Sequence, residues 1–246
     1  MNSRVILVSD DRSSLRSPDT LLWPDAACMR GIHTGEWTAH IFEYAMSFEG
    51  NMTQVRELAA ANGVGVLHPH GALATDPPGL IVCDVDSTVT CTEAIDLLAE
   101  CAGNADEVRE ITARAMVGEL DFTQSLYARV RCLEGLHIGA LEEAWKATVI
   151  TPGTAELVAA AHDVGAAVGL VSGGFTAIVD PLAEQIRADF AASNELEIVD
   201  NHLTGRVVGD IIDRAAKATW LRRWASERGV ALERTIALGD GANDLD

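Results

Sequence analysis

The sequence predicts an α/β protein, a doubly wound, mainly parallel sheet with an all-helical insertion after its first strand, preceded by a small amino-terminal α+β domain. Three observations lead there. Short apolar runs at residues 80–83, 167–171 and 235–238 read as strands, the first as a buried parallel one, that run straight into polar or glycine-rich residues, and helical patterns separate them. Between the first two runs, helical periodicity dominates from residue 93 to about 147 with no convincing strand. Ahead of them, residues 68–79 hold three prolines and two glycines, the composition of a linker.

Taken in order, residues 5–8 and 39–46 read as strands, 51–61 as a helix stopped by Gly63, and 64–67 as another short strand. We take residues 1–70 as the first domain, 71–79 as the linker and 80–246 as the second. His68 and His70 flank Pro69 without a cysteine or carboxylate cluster beside them, which favours a solvated linker over a metal site. The run at 80–83 ends in two aspartates, and the helical insertion occupies about 93–148. Thr151-Pro-Gly-Thr reads as a threonine cap with proline in the first turn of a helix to about residue 164. The strand at 167–171 leads into Ser172-Gly-Gly-Phe and another helix. Residues 195–199 and 203–208, separated by Asp-Asn-His, read as a hairpin. A helix over about 215–228 carries Trp220 and Trp224 on one face as core packing. Residues 235–238 form the last strand, before Gly-Asp-Gly-Ala-Asn-Asp-Leu-Asp.

The chain has 246 residues, 48% hydrophobic and 22% charged, enough for a sizeable core. Its net charge of -19 repels phosphate backbones and anionic lipid, which argues against nucleic-acid and membrane partners. An anionic substrate would need local positive charge from a metal, helix N-termini or a few placed bases. The five cysteines are scattered, with no Cys-x-x-Cys pair, and read as incidental thiols. The first residues have too short an apolar run for a signal peptide, and the alanine-rich stretch 155–171 is interrupted by Glu156, His162 and Asp163. The expectation is a cytoplasmic protein.

Asp84 and Asp86, two apart at a strand end, project to one side if the extended backbone continues. Two neighbouring carboxylates become favourable when a divalent cation lies between them or one stays protonated, conditions that suit a nucleophile beside a general acid/base. Asp-x-Asp alone would be an ordinary capped turn. Ser87 and Thr88 can cap the next helix and lend amides to an anion. Ser172-Gly173-Gly174 offers a hydroxyl and free amides at a helix start, a geometry that binds phosphate but is common. Only two lysines, Lys146 and Lys217, stand among eighteen basic residues, so Lys217 reads as a selected point charge for phosphate and carboxylate. Asp240 and Asp244 after the last strand complete, with Asp84, an oxygen-rich cluster suited to Mg²⁺.

In this order, Asp84-Val-Asp-Ser-Thr88, Ser172-Gly-Gly, Lys217 and Gly239-Asp-Gly-Ala-Asn-Asp244 resemble the four motifs of the haloacid dehalogenase (HAD) superfamily. The likeness extends to its phosphoserine phosphatase family through Leu80-Ile-Val-Cys, Glu93-Ala-Ile-Asp, Arg114-Ala-Met-Val-Gly-Glu-Leu-Asp-Phe-Thr-Gln-Ser-Leu, Leu170-Val-Ser-Gly-Gly-Phe-Thr and Ala192-Ser-Asn-Glu-Leu-Glu-Ile. It covers about residues 80–245. The resemblance implies a HAD-like fold with a helical cap and hydrolysis of O-phospho-L-serine in serine biosynthesis through an aspartyl-phosphate. In it Asp84 is the nucleophile and Asp86 the general acid/base. Ser172, Gly173, Lys217 and Asn243 would hold phosphate. Asp84, the Asp86 carbonyl and Asp240 would hold Mg²⁺, with Thr88 and Asp244 supporting the site.

A zwitterionic substrate end needs one acid and one base. Glu93 and Arg129 match the family's ammonium and carboxylate partners, and Met116 and Phe122 match apolar residues that close over the site. An ACT-like or ferredoxin-like regulatory fold for residues 1–70, and a homodimer through it, are expectations by analogy. Where family members continue past Asn-Asp-Leu with Pro-Met, a helix, a strand and a helix, this chain has Asp246, so a carboxyl-terminally shortened phosphatase domain is expected. Two alternatives stay open: an inactive fragment or amino-acid-binding module, and a phosphatase or phosphotransferase acting on another small phosphate ester.

Overall fold

A computed structural model describes residues 4–9, 28–34, 37–45 and 52–241. The chain divides into two compact units, Met1–Pro77 and Pro78–Asp246.

In the first unit, β1 (Arg4–Ser9), β2 (Cys28–Thr34), β3 (Trp37–Ala45) and β4 (Gly65–Leu67) form an antiparallel sheet in the order β2-β3-β1-β4. Helix α1 (Met52–Ala61) joins β3 to β4 and buries Val55 and Ala59. Strand β2 was not anticipated from its sequence.

The second unit is built on β5 (Leu80–Cys83), β6 (Ala167–Phe175), β7 (Phe190–Val199), β8 (His202–Val208) and β9 (Thr235–Leu238), ordered β8-β7-β6-β5-β9. The β5, β6, β7 and β9 pairings are parallel, and β8 returns antiparallel on β7 as a hairpin. The period-two pleat divides the core cleanly. Ile81, Cys83, Val168 and Leu170 pack on one face against α6 (Thr154–Asp163) and α7 (Thr176–Ile186). Leu80, Val82, Ala167 and Val171 pack on the other against Trp224 and Ala225 of α8 (Arg214–Glu227). Trp224 stacks on Phe190 at 5.3 Å and lies so close to β6 that a Cβ at Gly169 would come within 2.7 Å of its ring. The tryptophans are thus core, as their spacing indicates, with Trp220 tilted against Trp224 and covered by the Arg223 guanidinium.

Between β5 and β6 the chain forms four helices, α2 (Ala94–Ala102), α3 (Ala105–Met116), α4 (Phe122–Arg131) and α5 (Gly139–Ala147). This cap is entered and left through paired backbone: Cys91 N–H donates to the Val149 carbonyl at 2.7 Å and Thr151 N–H to the Val89 carbonyl at 2.9 Å. Its core, including Leu98, Leu126, Val130 and Leu133, is continuous with Phe175, Ile178, Leu196 and Leu203 of β6, α7 and the hairpin.

Three local expectations are corrected. Strand β6 does not end at Val171 but runs, with an irregular register against β7, to Phe175, so Ser172, Gly173 and Gly174 lie within it and not at the start of α7, which begins at Thr176. Thr151 does not cap α6. Its carbonyl accepts from Thr154 N–H across a Pro152-Gly153 turn with Gly153 at φ 93°, and the helix begins after that turn. Strand β7 begins at Phe190 rather than 195, because its first half pairs with β6 before the second half turns to β8. Among the described residues, no helix is long and apolar enough to cross a membrane.

Candidate active site

The sheet's carboxyl edge gathers the chemistry. Asp84 N–H donates to the Leu238 carbonyl at 2.8 Å, fixing the residue where β5 leaves the sheet beside β9. The extended continuation expected from Asp84 to Asp86 is not met: residues 85–89 form one helical turn, broken at Asp86, which is extended (φ -63°, ψ 132°), and at Ser87, whose φ of 58° and ψ of 6° lie in the left-handed region. A non-glycine residue there costs roughly 1–2 kcal/mol. Thr90 closes the turn, donating both N–H and hydroxyl to the Val85 carbonyl.

Lys217, in the second turn of α8, places Nζ 2.7 Å from Asp84 Oδ1, with both side chains largely buried. Lys146, in contrast, pairs with Glu142 on an exposed helix face. The lysine singled out by composition is therefore the one that meets a buried carboxylate. Helix α8 is started by Asp213, whose side chain accepts from Ala216 N–H at 2.8 Å.

Asp86 is held from two sides. Its Oδ1 accepts from Ala94 N–H at 2.9 Å, and Oδ2 accepts from Ser172 Oγ at 3.2 Å. Burial pushes its pKa up to about 6, helped by the Glu93 and Asp84 charges and opposed by the two hydrogen bonds. Ser172 is fully buried and its Oγ accepts from Gly174 N–H at 2.7 Å. A Cβ at Gly174 would sit 2.5 Å from Asp86 Oδ2, so the close approach requires glycine. Burial also raises the neighbouring Cys83 thiol to about 11, which keeps it protonated and inert.

The cap supplies the opposite wall. Asp121 and Gln124 form a reciprocal capping box at the start of α4. Phe122, Ser125 and Arg129 follow at helical spacing and line one cavity with Asp84, Asp86, Glu93, Gly173, Lys217 and Asp240, a space of about 570 Å³. Phe122 reaches the backbone near the end of β6, its ring lying where a Gly173 Cβ would be 2.8 Å away. Met116 also lines the cavity but is 84% exposed, so in this conformation it does not seal the mouth. Burial works against the Arg129 charge, and the carboxylates of Glu93, Asp96 and Asp86 sustain it.

The structure thus brings together Asp84, Asp86, Glu93, Met116, Phe122, Arg129, Gly173, Lys217 and Asp240 around one cavity, with Ser172 hydrogen-bonded to Asp86. Asn243 and Asp244 lie outside the described residues. Thr88 Oγ1 is buried without a hydrogen-bond partner, and Ser87 does not cap α2; its hydroxyl goes to Glu93, while Asp86 accepts from the helix's first N–H. Sequence reasoning missed Asn194, 1% exposed, which donates from Nδ2 to the Gly173 carbonyl and accepts on Oδ1 from Ile212 N–H. Only its position in a family-like block hinted at it.

Among the described residues, no group of three or more His, Cys, Asp or Glu side chains is arranged to hold a metal. What the cavity offers is two carboxylates, Asp84 and Asp240, that follow the paired strands β5 and β9. That all-oxygen set fits Mg²⁺, which takes one or two carboxylates and completes its octahedron with water and phosphate.

The family model for haloacid dehalogenase-like hydrolases matches residues 81–246. A phosphoserine phosphatase of Streptomyces coelicolor is 51% identical over 188 residues, covering 76% of this chain and 46% of that protein, so the chain spans about half that relative's length. The phosphoserine phosphatase of Streptococcus thermophilus is 50% identical over 167 residues, 68% of this chain and 78% of that protein. A solved structure described as a phospho-aspartyl intermediate analogue of phosphoserine phosphatase superposes with a TM-score of 0.65 at 40% identity, covering 69% of this chain and 81% of the other. On sequence and fold together, the chain belongs to the haloacid dehalogenase-like hydrolases, among the relatives of phosphoserine phosphatase.

Proposed function

We propose that this protein hydrolyses O-phospho-L-serine to L-serine and phosphate, a serine-yielding step of amino-acid biosynthesis. The observation that carries this reading is the composition of one cavity. It joins a phosphate-sized end built from Asp84, Lys217 and Gly173 to an acid and a base, Glu93 and Arg129, that are not paired with each other. A phosphate ester of a zwitterionic amino acid needs both.

Asp84 attacks phosphorus, the bond to the serine oxygen breaks, and the leaving oxygen takes the proton from Asp86. Asp86, now a carboxylate, accepts a proton from water as that water attacks the aspartyl-phosphate, releasing phosphate and restoring Asp84. A pKa near 6 suits a group that gives a proton and then takes one. Lys217, Ser172 and the Gly173 amide hold the phosphoryl oxygens, while Phe122 shields them from water. Mg²⁺ would be held by Asp84, the Asp86 carbonyl and Asp240, and would supply charge neutralisation at the phosphoryl group. The solved relative described as a phospho-aspartyl intermediate analogue supports the covalent route.

The test is phosphate release from L-phosphoserine by purified protein with Mg²⁺. The reading expects turnover that Asp84→Asn abolishes. A well-folded protein without that turnover overturns it.

A further inference from the structure

Glu93 and Arg129 face one cavity with opposite charge, yet no ion pair joins them. Oppositely charged side chains in a partly desolvated space attract strongly, and their collapse onto each other would close the receptor that a zwitterion needs. Something must hold one of them back. Arg129 has a long, weak tie, Nε to the Ser125 carbonyl at 3.4 Å on its own helix. Glu93 has a short one. Ser87 Oγ donates to Glu93 Oε1 at 2.6 Å, a hydrogen bond to an ionised acceptor that runs from the turn after β5 to the residue preceding α2.

The backbone at Ser87 makes this contact hard to dismiss as incidental. Among the described residues, four non-glycine residues have positive φ: Ser87, Arg187, Asp200 and Asn201. Arg187 ends α7, and Asp200 and Asn201 form the β7–β8 turn, all ordinary uses of that conformation. Ser87 sits in the turn between the two catalytic-loop aspartates and the cap, where glycine would relax the backbone but could reach nothing.

We propose that Ser87 is a positioning residue that tethers the Glu93 carboxylate away from Arg129 and so keeps the two halves of an amino-acid receptor apart. This deepens the phosphoserine reading and rests on it for the identity of the ligand, but the tether itself is a property of the unliganded protein. Without it, Glu93 swings to Arg129, and substrate must break that pair before it binds.

Two variants separate the tether from a structural role. Ser87→Gly removes the hydroxyl and relaxes the left-handed backbone; Ser87→Ala removes the hydroxyl and leaves the backbone cost. Both should raise KM for L-phosphoserine about ten-fold with kcat within two-fold. Hydrolysis of p-nitrophenyl phosphate, which lacks both charges of the amino-acid end, should keep its KM. Ser87→Gly should melt no lower than wild type. A purely structural role predicts instead a lower melting temperature and equal loss on both substrates, and that result would overturn the proposal. A crystal structure of unliganded Ser87→Gly gives a readout independent of turnover: the Glu93 carboxylate should lie within 4 Å of the Arg129 guanidinium. If it stays where it is in the wild type, the tether does not exist, whatever the substrate proves to be. If the pair forms but wild type does not bind L-phosphoserine, the tether stands and the substrate assignment fails.

Discussion

Asn194 donates from Nδ2 to the carbonyl of Gly173 at 2.8 Å. The same amide accepts from Ile212 N–H at 2.9 Å on Oδ1, so one buried side chain ties the end of β6, where Ser172 and Gly173 lie, to the segment that enters the Lys217 helix. The two bonds also fix which end of the amide is which, since Ile212 can only donate and the Gly173 carbonyl can only accept. Asn194→Ala leaves both backbone groups without partners in a buried site. The expected loss is roughly 2–5 kcal/mol of stability by urea denaturation. Asn194→Asp keeps the acceptor, sets a carboxylate against a carbonyl, and should lower kcat more than its stability loss explains.

Gly174 tests the geometry around Asp86. Alanine there would bring a methyl to 2.5 Å from Asp86 Oδ2 and 3.0 Å from Ser172 Oγ. The carboxylate must turn, giving up its bond to Ser172 or to Ala94. Steady-state kinetics should show kcat for phosphoserine at least ten-fold lower, with a smaller change in KM.

Lys217→Met removes the cation beside a buried carboxylate. Breaking such a pair costs about 3–5 kcal/mol, read as a lower urea midpoint in metal-free protein. Lys217→Arg retains charge but not the compact ammonium, so it should recover stability better than phosphate release. Equal recovery of both would count against a phosphate-holding role.

Asp86 gives the protein a pH dependence of definite sign. With its folded pKa near 6 against an ordinary 3.8, the folded state keeps a proton that the unfolded chain has already lost at intermediate pH. Its contribution to stability is full below about pH 4 and falls away as pH rises through 6, to a total of about 3 kcal/mol. In metal-free protein, the stability of Asp86→Asn relative to wild type should therefore climb from pH 4 to 7. A flat difference would show that Asp86 titrates as an ordinary carboxylate.

Arg129→Ala should reduce turnover of phosphoserine far more than that of an ester lacking a carboxylate. Equal loss on both would contradict its role at the amino-acid end.

Strands β5 and β6 were legible because central parallel strands are apolar on both faces, as Leu80 to Cys83 illustrate, and the edge strand β9 from its short apolar run alone. Strand β2 was not, since Cys28-Met-Arg-Gly-Ile-His-Thr34 has no alternation and its pairing is set by β3. The beginning of β7 was hidden for a related reason: one strand serves two partners, and neither half announces which. At the site, Asp84, Ser172 and Lys217 could be found from strand ends and the scarcity of lysine, whereas Glu93 and Arg129 came only through family likeness. Helix position says nothing of which acid faces which base across a cavity. The link from Ser87 to Glu93 and the clamp by Asn194 depend on backbone reversals and buried contacts that no local pattern records.

The cap departs from the core and rejoins it at one doorway, where the backbone at Val89 and Cys91 pairs with that at Val149 and Thr151. An insertion whose two ends meet in this way leaves and rejoins the sheet domain at a single point of its backbone. Exchange of this insertion for another is constrained at Leu196 and Leu203, because a transplanted cap must still present an apolar face to that hairpin, and at Ala94, whose N–H holds Asp86.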